Sequence, residues 1–214
     1  LDPRPEAADR LLESLESVDL PGTMRFIARS VRGELELTRG NARTAALIQR
    51  VSLRYAGNWR SILGSGSQWE LYILSMCLVT DVELSPDDAV ELDARAVRAR
   101  ATSLLREILS DPAPRQRDIP TLMAFAAAVG LSAVAAEDVG SDRRAVGGEL
   151  VATALAVGTN QTCRLLSHDY LRSRTERLDA RALAQAEERI RSLDRGGLVA
   201  HAADLAGRLA GEVG

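Results

Sequence analysis

Apolar residues recur at three-and-four spacing along most of this chain, which predicts helices almost from end to end. The pattern runs through Ala7 to Val18 (Leu11, Leu12, Leu15, Val18), Thr23 to Thr38, Asn41 to Ala56, Asp179 to Leu193 and Leu198 to Val213. Between Ser85 and Leu109, the residues Val90, Val97, Ala101, Leu104, Leu105, Ile108 and Leu109 form one stripe on an otherwise charged cylinder, so a long half-exposed helix is expected there. Its start carries a capping serine at Ser85, a first-turn proline at Pro86, and two acids, Asp87 and Asp88, placed to suit the helix dipole. Ser67-x-x-Glu70 reads as a capping box ahead of Trp69 to Thr80. That stretch is apolar enough for a strand, but its length and cap favour a buried central helix.

No segment keeps the strict alternation of a half-buried strand. The expectation is an all-α bundle of about nine helices with an Ala/Leu-rich core and no significant β-sheet. It spans 1–214 as a single domain. Asp111 to Pro120, with three prolines in ten residues, reads as a connector between two helical halves.

The heart of the fold is expected in Pro120 to Val139 and Ser141 to Arg172. On the second of these, Gly147, Val151, Ala154, Gly158 and Leu165 fall on one line of a helix. A seam of small residues admits another backbone. The expected occupant is Ala124 to Ala136 in a helical hairpin, with a homodimer seam or the wall of an apolar ligand cavity as alternatives. Glu149, Thr153, Asn160 and Arg164 share a narrow arc on the opposite side, either a solvated polar face or the lining of a polar pocket.

Composition narrows the chemistry. All 27 basic residues are arginine, so lysine-based Schiff bases, pyridoxal phosphate and the lysine of a phosphate-binding loop are excluded. Aromatic residues are only 3% of the chain, which leaves the core to Leu, Val, Ile and Ala. Cys77 and Cys163 lack zinc-site spacing and suit a reducing cytoplasm, and two His with two Cys suggest no metal set and no cofactor. The uncharged run Pro120 to Ala136 falls short of the roughly 20 apolar residues that span a bilayer, and Leu1 to Glu6 holds no signal-peptide core. No membrane association is expected.

Several local patterns resemble known devices. Phe125 to Ser132 resembles the first half of a helix-turn-helix DNA-binding unit, with Gly130 at the turn, but Asp138 and Glu137 stand where its second helix would need apolar and phosphate-tolerant residues. Gly64-Ser65-Gly66-Ser67 is similar to a phosphate-binding turn but lacks the third glycine of a dinucleotide fingerprint. Asp87, Asp88 and Glu91 resemble the acidic metal motif of isoprenoid synthases, with too few aromatics nearby to shelter a carbocation. Ser167-His168-Asp169 has the residue types of a catalytic triad, yet neighbours on a helix point about 100° apart. Neither His201 nor Cys163 joins a recognisable catalytic set.

Charge is segregated along the chain. Pro21 to Arg60 holds eight arginines against Glu34 and Glu36, a net of +6, whereas Ser61 to Ala94 holds seven acids and no arginine. Arg25, Arg29, Arg32 and Arg39 share one helix face, and Arg43, Arg50 and Arg54 share another. These rows are either solvated, paired with the acids from Asp81 to Asp93 of the same chain, or a surface for an anionic partner. A sequence pI of about 5.6 favours a protein partner, or a second copy of the chain, over nucleic acid. The expected function is a non-catalytic binding or regulatory module. The alternatives are a lysine-free enzyme or small-molecule binder using the Glu149 arc, and a transcription regulator with a degenerate DNA-binding unit.

Overall fold

The computed structural model describes residues 10, 12–14, 22–63, 68–111, 118–159 and 163–211, with side chains described outside 22–27 and 55–63. Among them the chain is helical and has no strand. The helices are α1 (Gly22–Thr38), α2 (Ala42–Leu63), α3 (Gln68–Asp81), α4 (Pro86–Glu91), α5 (Ala94–Leu109), α6 (Ile119–Ala135), α7 (Ser141–Val157), α8 (His168–Ile190) and α9 (Arg195–Ala210). A 3-10 turn, Arg164–Leu166, precedes α8. Residues 10 and 12–14 are also helical. Ser67, the Gly64–Ser67 turn and the centre of the proline connector, 112–117, lie outside the described residues.

Two helices have no polar face because both are enclosed. Every residue from 122 to 134 of α6 is buried, as is almost all of α3 from Glu70 to Thr80. Around α6 pack α3, α7, α8 and α5, while α9 bridges α7 and α5, and the α1–α2 hairpin lies on α3. One apolar cluster draws on all of these helices. The expected hairpin forms between α6 and α7. A Cβ on Gly130 would sit 2.5 Å from the Gly147 carbonyl oxygen, and one on Gly147 would sit 2.7 Å from the Gly130 oxygen. The backbones touch there, and only glycine fits.

Three expected boundaries differ. The seam ends sooner than predicted, because Gly158, at φ 109°, closes α7 and borders open space, while Leu165 falls in the 3-10 turn. The helix expected from Ser85 to Leu109 breaks at Leu92 and Asp93. Asp93 takes a left-handed φ of 52° and accepts the Ala96 N–H on its side chain, so α4 and α5 are separate. The predicted start at Asp179 appears as a kink inside α8, where Asp179 leaves the helical region and caps the next turn through the Ala182 N–H at 2.8 Å. No described helix is long and apolar enough to cross a membrane.

Candidate binding surfaces

The outward face of α2 is where segregated charge meets. Helical spacing aligns Arg43, Leu47, Arg50 and Arg54, with Val51 one step aside. Against its first half lies α4, a six-residue helix begun by the Ser85 hydroxyl, which accepts the Asp88 N–H. No residue of α4 is buried. Arg43 bonds both Asp88 and Glu91, the second at 2.6 Å, and Arg50 Nε donates to the Leu92 carbonyl at 3.1 Å. The Ser85 hydroxyl, and after it the Arg43 guanidinium, hold Asp88 below its ordinary carboxylate range, and Arg43 does the same to Glu91.

Arg50 is therefore no member of a solvent-facing row. Its Nη1 and Nη2 lie 2.8 and 2.9 Å from the two oxygens of Asp81 at the end of α3, and both side chains are nearly enclosed. Burial pushes the Asp81 carboxyl above its ordinary value, outweighing the hydrogen bonds from Arg50 that pull it down. Farther along the same face, Leu47 is 45% and Val51 40% exposed, and Arg54 is exposed. Arg29 and Arg32 lie half-buried on α1, each already engaged in a polar or ionic contact. Arg25 lies in the first turns of α1, where side chains are not described.

Behind α4 opens a cleft of about 630 Å³. Leu78 and Val82 from the end of α3, with Ala135 and Ala136 from the end of α6, form an apolar floor, and Ala89 and Val90 of α4 form one lip. Val90 is 83% exposed. On the opposite lip Arg98 donates through Nη2 to both oxygens of Asp138, at 2.6 and 2.8 Å, and Arg95 Nε stands 3.9 Å from the same carboxylate. The only hydroxyl lining this cleft among the described residues, Ser132, is turned back to the Val129 carbonyl at 2.8 Å.

The arc expected on one helix is dispersed. Glu149 faces α8 and α9, where Arg189 donates from Nε and Nη2 at 3.0 and 2.7 Å and His201 Nε2 lies 2.8 Å away. Burial would raise its pKa, but these partners hold it below the ordinary value. Thr153 is buried and donates to the Glu149 carbonyl. Arg164 is exposed in the 3-10 turn, beyond the end of α7, and Asn160 lies outside the described residues. Of the described members, Glu149 and Thr153 stand on α7 and Arg164 beyond its end. Nor does Gly130 mark a turn, since α6 continues through it, fully buried. Ser167 caps α8, accepting the Tyr170 N–H, and its hydroxyl donates to the Arg164 carbonyl.

One half-buried polar cluster had no sequence signal. Glu34 of α1 lies beside the Arg164 and Leu165 backbone and the Cys163 side chain, and Cys163, whose thiol donates to Met76 Sδ at 3.6 Å, neighbours the Tyr72 hydroxyl. Burial raises the Glu34 carboxyl and pushes the Cys163 thiol up to about 12, so the sulfur stays protonated and serves as a link between α1, α3 and the turn. Residues 34, 72 and 163 meet only through tertiary packing. No group of His, Cys, Asp and Glu with metal-binding geometry occurs among the described residues.

Comparison with known proteins finds no matching family model, no matching curated protein and no matching solved structure.

Proposed function

We propose that this chain is a non-catalytic binding module that receives an acidic, apolar helical segment of a protein partner on the outward face of α2. The observation that carries the reading is the chain's own α4. A short helix with carboxylates at Asp88 and Glu91 lies on Arg43 with no buried residue to hold it, beside uncovered Leu47, Val51 and Arg54. An internal segment thus carries part of the chemistry proposed for the partner, two acids one turn apart that meet a guanidinium group, while Leu47 and Val51 beside it stay uncovered. Exposed ion pairs of this kind are individually weak, so a longer partner helix that also covers Leu47 and Val51 can displace or extend α4.

Selection from a random helical-peptide display library, using the intact chain as bait, tests this. Enriched sequences should carry Asp or Glu at three- or four-residue spacing beside apolar positions, and lose binding to Leu47→Glu and Arg54→Glu. Their affinity should fall steeply as salt rises. Enrichment of basic peptides, or of binders indifferent to both substitutions, overturns the assignment to this face. Sedimentation of the chain alone separates a foreign partner from a second copy of the chain, since only the latter gives a concentration-dependent mass.

A further inference from the structure

We propose that the cleft between α4, α5 and the end of α6 is a site for an alkylammonium, a small molecule with one cationic nitrogen and a hydrocarbon body. The volume, about 630 Å³, is that of a typical ligand cleft. Leu78, Val82 and Ala135 on the floor and Val90 on the lip offer apolar surface that a hydrocarbon body covers. Val90, at 83% exposure, is the most exposed large apolar side chain among the described residues and has the most to gain from being covered.

Charge on the walls decides the head group. Asp81, Asp93, Glu137 and Asp138 line the cleft against Arg95 and Arg98. Asp81 is matched by Arg50 of α2. Asp138 accepts from Arg98 Nη2 on both oxygens, and Arg95 Nε stands 3.9 Å from the same carboxylate. Asp93 and Glu137 meet no guanidinium group among the described residues. Asp93 Oδ1 accepts the Ala96 N–H at 3.3 Å, and the Glu137 side chain makes no hydrogen bond or ion pair with a described residue. With Arg50 counted, the cleft keeps one negative charge that its arginines do not cancel. A single cationic head matches that surplus, an anionic head adds to it, and a polycation would press its further charges onto Arg95 and Arg98. The ammonium N–H groups are therefore assigned to the Asp93 and Glu137 carboxylates, and the hydrocarbon body to the surface from Val82 to Val90.

Calorimetric titration of the intact chain with decylammonium chloride, kept below its micelle-forming range, tests the site, with decanoate and methylammonium as matched probes for head and body. Decylammonium should bind once per chain, decanoate roughly tenfold more weakly or worse, and methylammonium without measurable heat. Asp93→Asn keeps a side-chain oxygen for the Ala96 N–H and tolerates the left-handed φ of 52°, so combined with Glu137→Gln it removes two charges and leaves α5 capped. This double variant should bind decylammonium about fivefold more weakly, the scale of exposed ion pairs. Val90→Ser should weaken binding as well, by removing apolar cover from the lip. Glu107→Gln with Glu188→Gln removes the same charge from exposed positions outside the cleft and should leave affinity within about twofold. Circular dichroism melts that match the wild type certify the fold of each variant. Absence of saturable decylammonium binding, equal binding of decanoate, unchanged affinity in the cleft variants, or an equal loss in the Glu107/Glu188 pair overturns the proposal.

Discussion

Where α6 crosses α7, contact is made by shape; where α4 meets α2, it is made by charge. At the crossing, Gly130 and Gly147 bring backbones within reach of each other's carbonyls, and Val151 and Ala133 close the sides. Nothing there can move without opening a void or a clash. At the rim, α4 buries no residue and is held by Arg43, Arg50 and three acceptors. Guanidinium contacts tolerate displacement, exchange partners and answer to salt. The first contact keeps the fold, and the second can be exchanged without opening it.

Adding volume at the crossing is the harshest way to break this comparison. Gly147→Leu should cost about 3 kcal/mol or more, because the new Cβ meets backbone, which cannot rotate aside as a side chain does. Chemical denaturation of the variant checks it; a loss below about 1 kcal/mol would mean the two helices separate easily and that shape is not what fixes them. Gly158→Leu makes an internal control for the seam. Its Cβ would meet open space, so any cost there comes from backbone strain at its φ of 109°.

Arg50 lies between the two regimes and sharpens the boundary. Arg50→Gln leaves Asp81 nearly enclosed without its cation, which should cost about 2 kcal/mol at neutral pH. The figure stays under that of a sealed ion pair because Asp81 borders the cleft, where water and protons reach it. The sign of its pH dependence follows from the carboxyl, already raised by burial in the native state and raised further once Arg50 is removed. A folded-state pKa above the unfolded one favours folding most at low pH and loses that contribution as pH rises through the folded value. The deficit of the variant should therefore shrink as pH falls from 7 toward 4. A constant deficit would mean Asp81 stays ionised and is rescued by another cation.

Much of the shape-locked region could be read from the sequence. A capped, uniformly apolar stretch at 69–80 and an alanine-rich run at 120–136 announce enclosed helices, and Gly147 on a small-residue line announces close approach. A helical projection carries the seam on to Gly158 because it cannot show that this glycine adopts positive φ and ends the helix. Asp93 escaped for the opposite reason: Val90 and Val97 keep the helical period across a residue whose left-handed turn separates α4 from α5. For the charge-locked region, segregation of Arg and acid along the chain was legible and suggested pairing. Which arginine is enclosed was not, since Arg43 and Arg50 occupy equivalent places on one helical face and only the position of α3 and α4 distinguishes them. The cleft was illegible altogether, because its walls come from segments that share no motif.

The mildest perturbation acts on the rim alone. Arg43→Gln removes the ion pairs to Asp88 and Glu91 while Ser85 still caps α4 and Arg50 still holds Leu92. Because these carboxylates are exposed, global melting should be unchanged within error. What should change is local: native-state hydrogen exchange of the Ala89 and Leu92 amides, which close the α4 turn onto Ser85 and Asp88, should accelerate severalfold. Amides of α6 and α7 should keep their protection, since they exchange only through openings that Arg43 does not influence. Raising the salt concentration in the wild type should reproduce part of the same acceleration by screening the pairs. If exchange in α4 is indifferent to both the substitution and the salt, then α4 is held by its own helical turn and by Arg50. Charge at Arg43 would then have no part in keeping the segment on α2, and its value as an internal copy of the partner would be lost.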